Sequence, residues 1–275
     1  MASVVDSTIG TIETVRLRNG VTLPYVEQGD PSGVPVVLLH GLSDSWYSFE
    51  CLFPHLPPSI RAFALTQRGH GDADRPASDY APREFAADVA DFINTLGIGP
   101  AVVVGHSMGS TVAEQFAVDY PAQTRGLVVI GSFIDFAGNP VIAELWSAVE
   151  TLVDPIELDF VREFQEATLA QPIPSAYLET VVAESMKMPA RVWKAALAGL
   201  VATNLAGDLA DIAAPAMVVW GDRDGFAPRG EQEALAVAIP NAELTIYRGA
   251  GHAVHWEEPS RVAADIAAFV ARIAD

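Results

Sequence analysis

Six short runs constrain the fold most: PVVLLH (35–40), IRAFALT (60–66), AVVVG (101–105), GLVVIG (126–131), PAMVVWG (215–221) and AELTIYR (242–248). A strand with one wet face alternates polar and apolar residues, whereas these runs are apolar at successive positions, as strands covered on both faces should be. They are therefore expected as parallel strands of a doubly wound α/β sheet. Helical periodicity at 82–96, 108–120, 229–239 and 259–273 supplies the covering layers, the last with Pro259 at its start and Val262, Ile266, Phe269, Val270 and Ile273 on one face. TIETVRLR (11–18) and VTLPYVEQ (21–28) flank Asn19-Gly20, a two-residue hairpin signal. An antiparallel pair should thus open the sheet, bringing it to about eight strands.

About eighty residues between the fourth and fifth of these runs contain no convincing strand. Four helix-like segments there are punctuated by Pro140, Pro155, Pro172, Pro174 and Pro189, residues suited to a helix start and unfit for its interior. The expected organisation is a core of residues 1–133 and 214–275 with a helical cap, 134–213, inserted into it. Half of the 275 residues are hydrophobic, enough for one substantial core. Most large apolar residues of the insertion should pack its own small core. Those taken as pocket candidates are Trp146, Phe164, Met186 and Trp193, together with Trp46, Phe133 and Phe226 outside it.

Charge and cysteine content narrow the functional classes. A formal net charge of −19 opposes a nucleic-acid groove or an anionic membrane surface, because long-range repulsion disfavours both encounters. No apolar run approaches the roughly 18 residues that cross a bilayer. The start, MASVVDSTIG, lacks a basic region followed by an apolar stretch. Cys51 is the only cysteine, so no intrachain disulfide can form. A cytoplasmic protein acting on a small molecule is the resulting expectation, with the oligomeric state left open.

The strongest chemical signal is VVVGHSMGS (102–110). Gly-x-Ser-x-Gly placed after a strand and before a helix makes Ser107 a nucleophile on a sharp turn. Gly105 and Gly109 leave space where strand and helix approach, and the helix N-terminus favours negative charge. A serine hydroxyl needs a base, and the base an orienting acid. Of six histidines, His252 in GAGHAVHWEEP sits in a glycine-rich loop after the last strand, at the sheet edge that carries Ser107. His255, three residues on, is read as a packing or hydrogen-bonding residue; His40, His55, His70 and His106 offer no better base. For the acid, GDRDG presents both Asp222 and Asp224 at a strand end.

Together HGLSDSW (40–46), QRGHGDADRP (67–76), GHSMG (105–109), GDRDGFAP (221–228) and GHAVHWEEP (251–259) resemble the α/β-hydrolase superfamily, in its order and over nearly the whole chain. The serine-nucleophile branch of esterases, haloperoxidases and C–C hydrolases is the nearest in pattern. The resemblance implies a nucleophile, acid, base order met by Ser107, Asp224 and His252. The family's acid stands three residues after the strand-ending glycine and four before a helix-starting proline, which selects Asp224 through Gly221 and Pro228. Asp222 is still close to the strand end, where a carboxylate tends to cap the turn or pair with Arg223. The resemblance also implies an oxyanion hole from the backbone N–H groups of Leu42 and Met108.

Two departures stand out: Thr66 replaces the acidic residue usual before QRGHG, and Ala73 a usual serine. HGLSDSWYSF is similar to the matching segment of epoxide hydrolases, but those carry an aspartate where this chain has Ser107, which disfavours an alkyl-enzyme mechanism. A metal at His252, His255, Glu257 and Glu258 is disfavoured, since the spacing crosses a loop-to-helix junction. No glycine-rich phosphate loop follows a strand, so no cofactor is expected. The expectation is a cofactor-free serine hydrolase for a small, mostly apolar carboxylic ester or lactone, acting through an acyl-enzyme. Diketone C–C hydrolysis, perhydrolysis of the haloperoxidase kind and a non-enzymatic small-molecule receptor with a retained triad remain the alternatives.

Overall fold

The structure, a computed structural model, describes residues 10–274; the segment 1–9, where a targeting signal was sought, and residue 275 lie outside it. Eight strands form one sheet: β1 (Ile12–Arg16), β2 (Thr22–Gln28), β3 (Val34–Leu39), β4 (Ile60–Leu65), β5 (Ala101–His106), β6 (Thr124–Ile130), β7 (Ala216–Gly221) and β8 (Ala242–Tyr247). Their order is β1-β2-β4-β3-β5-β6-β7-β8. The β1–β2 and β2–β4 pairings are antiparallel and the rest parallel.

Unbroken apolarity has a direct structural counterpart. In β3, Val36 and Leu38 enter one core with Val262, Ile266, Phe269 and Val270 of the last helix. Val37 and Leu39 enter the other, with Phe85, Val89, Val112, Phe116 and Leu235. The covering helices are α1 (Pro82–Leu96) and α2 (Met108–Asp119) and, after β7, α7 (Arg229–Ala238), α8 (Val254–Glu257) and α9 (Pro259–Ala274). The edge strand β8 is only partly buried along most of its length, since nothing pairs with its outer side among the described residues.

The hairpin differs from expectation by one residue. Leu17 N–H donates to Val21 O at 2.8 Å, leaving Arg18, Asn19 and Gly20 as a three-residue loop. Asn19 does not form a two-residue turn because its Oδ1 accepts from Val21 N–H at 3.0 Å, while Gly20 takes φ +87°.

Between β6 and β7 lie four helices, α3 (Pro140–Val149), α4 (Leu158–Ala167), α5 (Ser175–Ser185) and α6 (Ala190–Val201). An isolated bridge between Asp135 and Asn204 closes the base of this excursion. Pro140 is the first residue of α3, and Pro174 and Pro189 immediately precede α5 and α6. Pro155 and Pro172 fall between helices. Among the described residues, no helix is long and apolar enough to cross a membrane.

Candidate active site

The chain reverses sharply where β5 meets α2, and Ser107 is the single residue between them, at φ 53° and ψ −117°. A side chain at positive φ costs on the order of 1–3 kcal/mol, so the surroundings must enforce it. They do so through Ser107 N–H, which donates to Ile130 O at 2.9 Å, and Ser110 Oγ, which donates to Gly105 O at 2.8 Å. The flanking glycines are spatial necessities. A Cβ on Gly105 would lie 2.1 Å from Gly109 O, and one on Gly109 2.1 Å from Leu39 O.

His252 follows β8 and reaches back to the same edge. Its Nδ1 hydrogen-bonds Asp224 Oδ2 at 2.8 Å, and the side chains of both are almost fully buried. Asp224 Oδ1 accepts from the N–H groups of Phe226 (2.8 Å) and Ala227 (2.9 Å), so the loop after β7 holds the carboxylate from behind. Asp222 is elsewhere: its exposed carboxylate accepts from Gly249 N–H at 2.6 Å and caps the turn after β8. Gly131 leaves the pair its room, since a Cβ there would stand 2.8 Å from His252 Nδ1 and 3.3 Å from Asp224 Oδ2.

Four of the remaining histidines are buried scaffold. His40 Nε2 accepts from Gln67 N–H at 3.0 Å, which leaves Nδ1 to donate to Gly41 O at 2.8 Å. His106 lies against the His252 carbonyl, and His255 Nε2 contacts Ser48 Oγ at 3.0 Å. Burial, with repulsion from neighbouring imidazoles, holds His40 and His106 well below the usual histidine range and His255 at about 3. Burial likewise brings His70 to about 4. All four are neutral at physiological pH. His255 thus has its expected hydrogen-bonding role, and His55 is exposed. Among the described residues no group of three or more His, Cys, Asp or Glu side chains is placed to hold a metal ion.

Ser107 and His252 line one cavity between the sheet edge and α3, α4 and α6. It is narrow, with a volume of about 30 Å³. Ser107 is half-buried, and it meets His252 as shared lining rather than through a hydrogen bond. Leu42 also lines the cavity, and the N–H groups of Leu42 and Met108 have no backbone acceptor among the described residues. Two donors flanking the serine are therefore unspent.

The pocket expectations divide. Phe133, Phe164 and Phe226 line the cavity; Trp46, Trp146, Met186 and Trp193 do not. Trp46 instead stacks on Tyr47 with ring centroids 3.9 Å apart, and its backbone N–H donates to Thr66 Oγ1 at 3.2 Å, which gives that unusual threonine a structural role. Trp193 is fully buried, with Phe160 and Phe164 edge-on to it at 5.5 and 5.2 Å. Trp146 and Met186 pack against the large core as partly buried residues. Their places in the lining are taken by Phe136, Ile142, Leu145, Leu197 and Leu200, with Asp44, Gln165 and Thr168 as the polar members.

A strand-to-helix serine, a carboxylate-bound histidine and an apolar cavity under inserted helices recur in one large family, and residues 36–265 match the alpha/beta hydrolase family. The chain belongs to that family. This hydrolase is 28% identical over 263 residues to a 2-(acetamidomethylene)succinate hydrolase of Mesorhizobium japonicum, covering 91% of this chain and 92% of that one. It is 39% identical to a soluble epoxide hydrolase of Corynebacterium over 101 residues only, 37% of this chain and 35% of the relative. A crystal structure of a putative aryl esterase from Burkholderia cenocepacia superposes with a TM-score of 0.85 at 23% identity, over 96% of this chain and 99% of the other. At that identity the likeness speaks for the fold alone.

The polar residues that sequence reasoning missed had a weak signal. Asp44 lies in HGLSDSW, four residues after His40, but a short acidic residue in a loop ordinarily caps its own turn. Gln165 had none: it sits in α4 and reaches Asp44 across 121 positions.

Proposed function

We propose that this hydrolase is a cofactor-free serine hydrolase that cleaves a small, mostly apolar carboxylic ester or lactone through an acyl-enzyme. The observation that carries the reading is that His252, bound to Asp224 at 2.8 Å, lines one cavity with Ser107, itself held at φ 53°. In this reading the Ser107 hydroxyl passes its proton to His252 Nε2 as Oγ bonds to the ester carbonyl carbon. The oxygen gains negative charge and is met by the N–H groups of Leu42 and Met108, each such donor typically worth about 100 to 1,000-fold in rate. Collapse breaks the bond to the alkoxy oxygen, which takes the proton from His252. A water then attacks the acyl carbon, giving its proton to His252, and Ser107 Oγ leaves and recovers a proton. Asp224 fixes the tautomer that leaves Nε2 free to accept.

Residues 134–213 act as the cap in the same proposal. Ile142, Leu145, Phe164, Leu197 and Leu200 turn an apolar surface onto the serine, favouring an apolar acyl or alcohol arm and excluding water from the charged intermediate. The narrowness of the cavity favours small substrates. A cytoplasmic setting is part of the proposal, supported by a lone, half-buried cysteine, Cys51, whose thiol burial pushes up to about 11.

The test uses short-chain p-nitrophenyl esters and an alkyl phosphonate probe. Hydrolysis should be blocked by the phosphonate, and Ser107→Ala should lower kcat by about 10⁵ to 10⁶-fold with the circular dichroism spectrum preserved. A folded Ser107→Ala variant that keeps a tenth of the activity refutes the mechanism. Saturable ligand binding without turnover points to the receptor reading, and diketone cleavage far faster than any ester to C–C hydrolysis.

A further inference from the structure

We propose that the cavity selects small esters carrying a positively charged nitrogen, with Asp44 as the counter-ion and the surrounding phenylalanines as the wall. The inference deepens the acyl-transfer reading and rests on it.

Asp44 lies in the segment after β3, is 3% exposed, and lines the cavity beside Ser107 and His252. Its Oδ1 accepts from Gln165 Nε2 at 2.9 Å and its Oδ2 from Ser48 Oγ at 3.2 Å, both neutral donors. Among the described residues no lysine or arginine lines the cavity. The titratable groups around Asp44 are His252 and His106 in the lining, Tyr177 of α5, and His255 behind Ser48. Tyr177 is held protonated by burial and His106 and His255 are neutral, so His252 is the one of the four whose protonated form sets a positive charge near Asp44.

A buried carboxylate without a permanent counter-ion is costly, and burial raises Asp44 to about 7 although Gln165, Ser48, Gly41 and His252 stabilise its charged form. Two to three of its roughly four lone-pair sites are used, which leaves an acceptor free for a ligand. Phe133, Phe136, Phe164 and Phe226 surround the same space, and aromatic rings attract cations as carboxylates do. Position adds a reason. Asp44 is two residues from Leu42, so its charge opposes negative charge developing at the Leu42 N–H; a cationic substrate cancels that opposition as it binds. The net charge of −19 favours the encounter.

The probe pair is acetylcholine and its uncharged isostere 3,3-dimethylbutyl acetate, which differ in charge and scarcely in shape. Calorimetry on the Ser107→Ala protein isolates binding from turnover. At pH 8 the cation should bind about ten- to thirtyfold more tightly than the isostere. Adding Asp44→Asn should bring the ratio to within about twofold of one. In the parent protein the ratio should shrink as pH falls from 8 to 6, because Asp44 is ionised above about 7 and takes up a proton below it. That series decides the matter should Asp44→Asn not fold. Equal affinities, no measurable binding of the cation, or a preference that survives both the substitution and acid overturns the inference. If the preference is present but wild-type protein hydrolyses neither ester, the inference stands and the acyl-transfer reading fails.

Discussion

Replacing Asp224 with asparagine removes one charge while conserving nearly every atom position. Asparagine Oδ1 can still accept from Phe226 and Ala227 N–H, the two bonds of 2.8 and 2.9 Å that hold the loop, so the backbone should stay in place. The other atom then becomes an NH₂ facing His252 Nδ1 across the present 2.8 Å contact. Two donors cannot share that contact, so the imidazole must carry its proton on Nε2, the atom that accepts from Ser107 in the proposed mechanism. The wrong tautomer and the lost carboxylate together should lower kcat by about 10⁴-fold, equivalent to about 5.5 kcal/mol of transition-state stabilisation. Asp222→Asn is the internal control. Its Oδ1 keeps the 2.6 Å bond from Gly249 N–H, and the exposed carboxylate does not line the cavity, so the loss should stay under about tenfold. Initial rates with p-nitrophenyl acetate, on variants matched by circular dichroism, read both. The reasoning is refuted if folded Asp224→Asn retains more than about a tenth of wild-type kcat, or if Asp222→Asn is the crippling change.

Two further outcomes follow from the surroundings of the site. Glu114 of α2 is fully buried, its Oε1 accepts from Ser132 Oγ at 2.7 Å, and burial pushes it from 4.5 up to about 8. The folded protein therefore holds a proton that the unfolded chain has lost, and stability should fall as pH rises from about 4.5 to about 8. Between pH 6 and 8 this amounts to about 2–3 kcal/mol; Glu114→Gln should flatten the slope in urea unfolding, and an unchanged slope rejects the assignment. Gly131→Ala places a Cβ 2.8 Å from His252 Nδ1 at φ +58°, so the imidazole must shift and kcat should fall by about 10- to 100-fold with far-ultraviolet dichroism intact. Full activity in that variant means that the position of His252 is less constrained than the packing implies.

What could be read from the sequence and what could not separate along a physical line. The sheet was legible because burial on both faces is a local demand: Val36 and Leu38 serve one core, Val37 and Leu39 the other, and all four must be apolar wherever the rest of the chain goes. The elbow was legible for the same reason, since Gly105, Ser107 and Gly109 satisfy one turn within five residues. Asp224 and His252 lie 28 residues apart but leave neighbouring parallel strands, β7 and β8, at the same end, so topology brings them together. The cavity lining obeys no such rule. Periodicity says that α6 has an apolar stripe and leaves open how the helix is rotated toward its neighbours; Trp193 and Leu197 are one turn apart on it, yet only Leu197 reaches the cavity.

The error in the pocket candidates also has a direction. A cavity is volume that side chains leave unfilled, and Trp193, the bulkiest candidate on α6, is fully buried in packing rather than left beside that space. Trp193 fills the contact between α4 and α6 against Phe160 and Phe164, while the mid-sized Ile142, Leu197 and Leu200 stop short and leave the opening above Ser107. The same logic explains why Asp44 and Gln165 escaped notice. An apolar cavity needs few polar groups, those few come from distant segments, and their partnership of 2.9 Å exists only once α4 has docked over the loop after β3. On the proposed reading, substrate choice resides in the docking of the inserted helices and the chemistry in turns of a few residues at the ends of parallel strands.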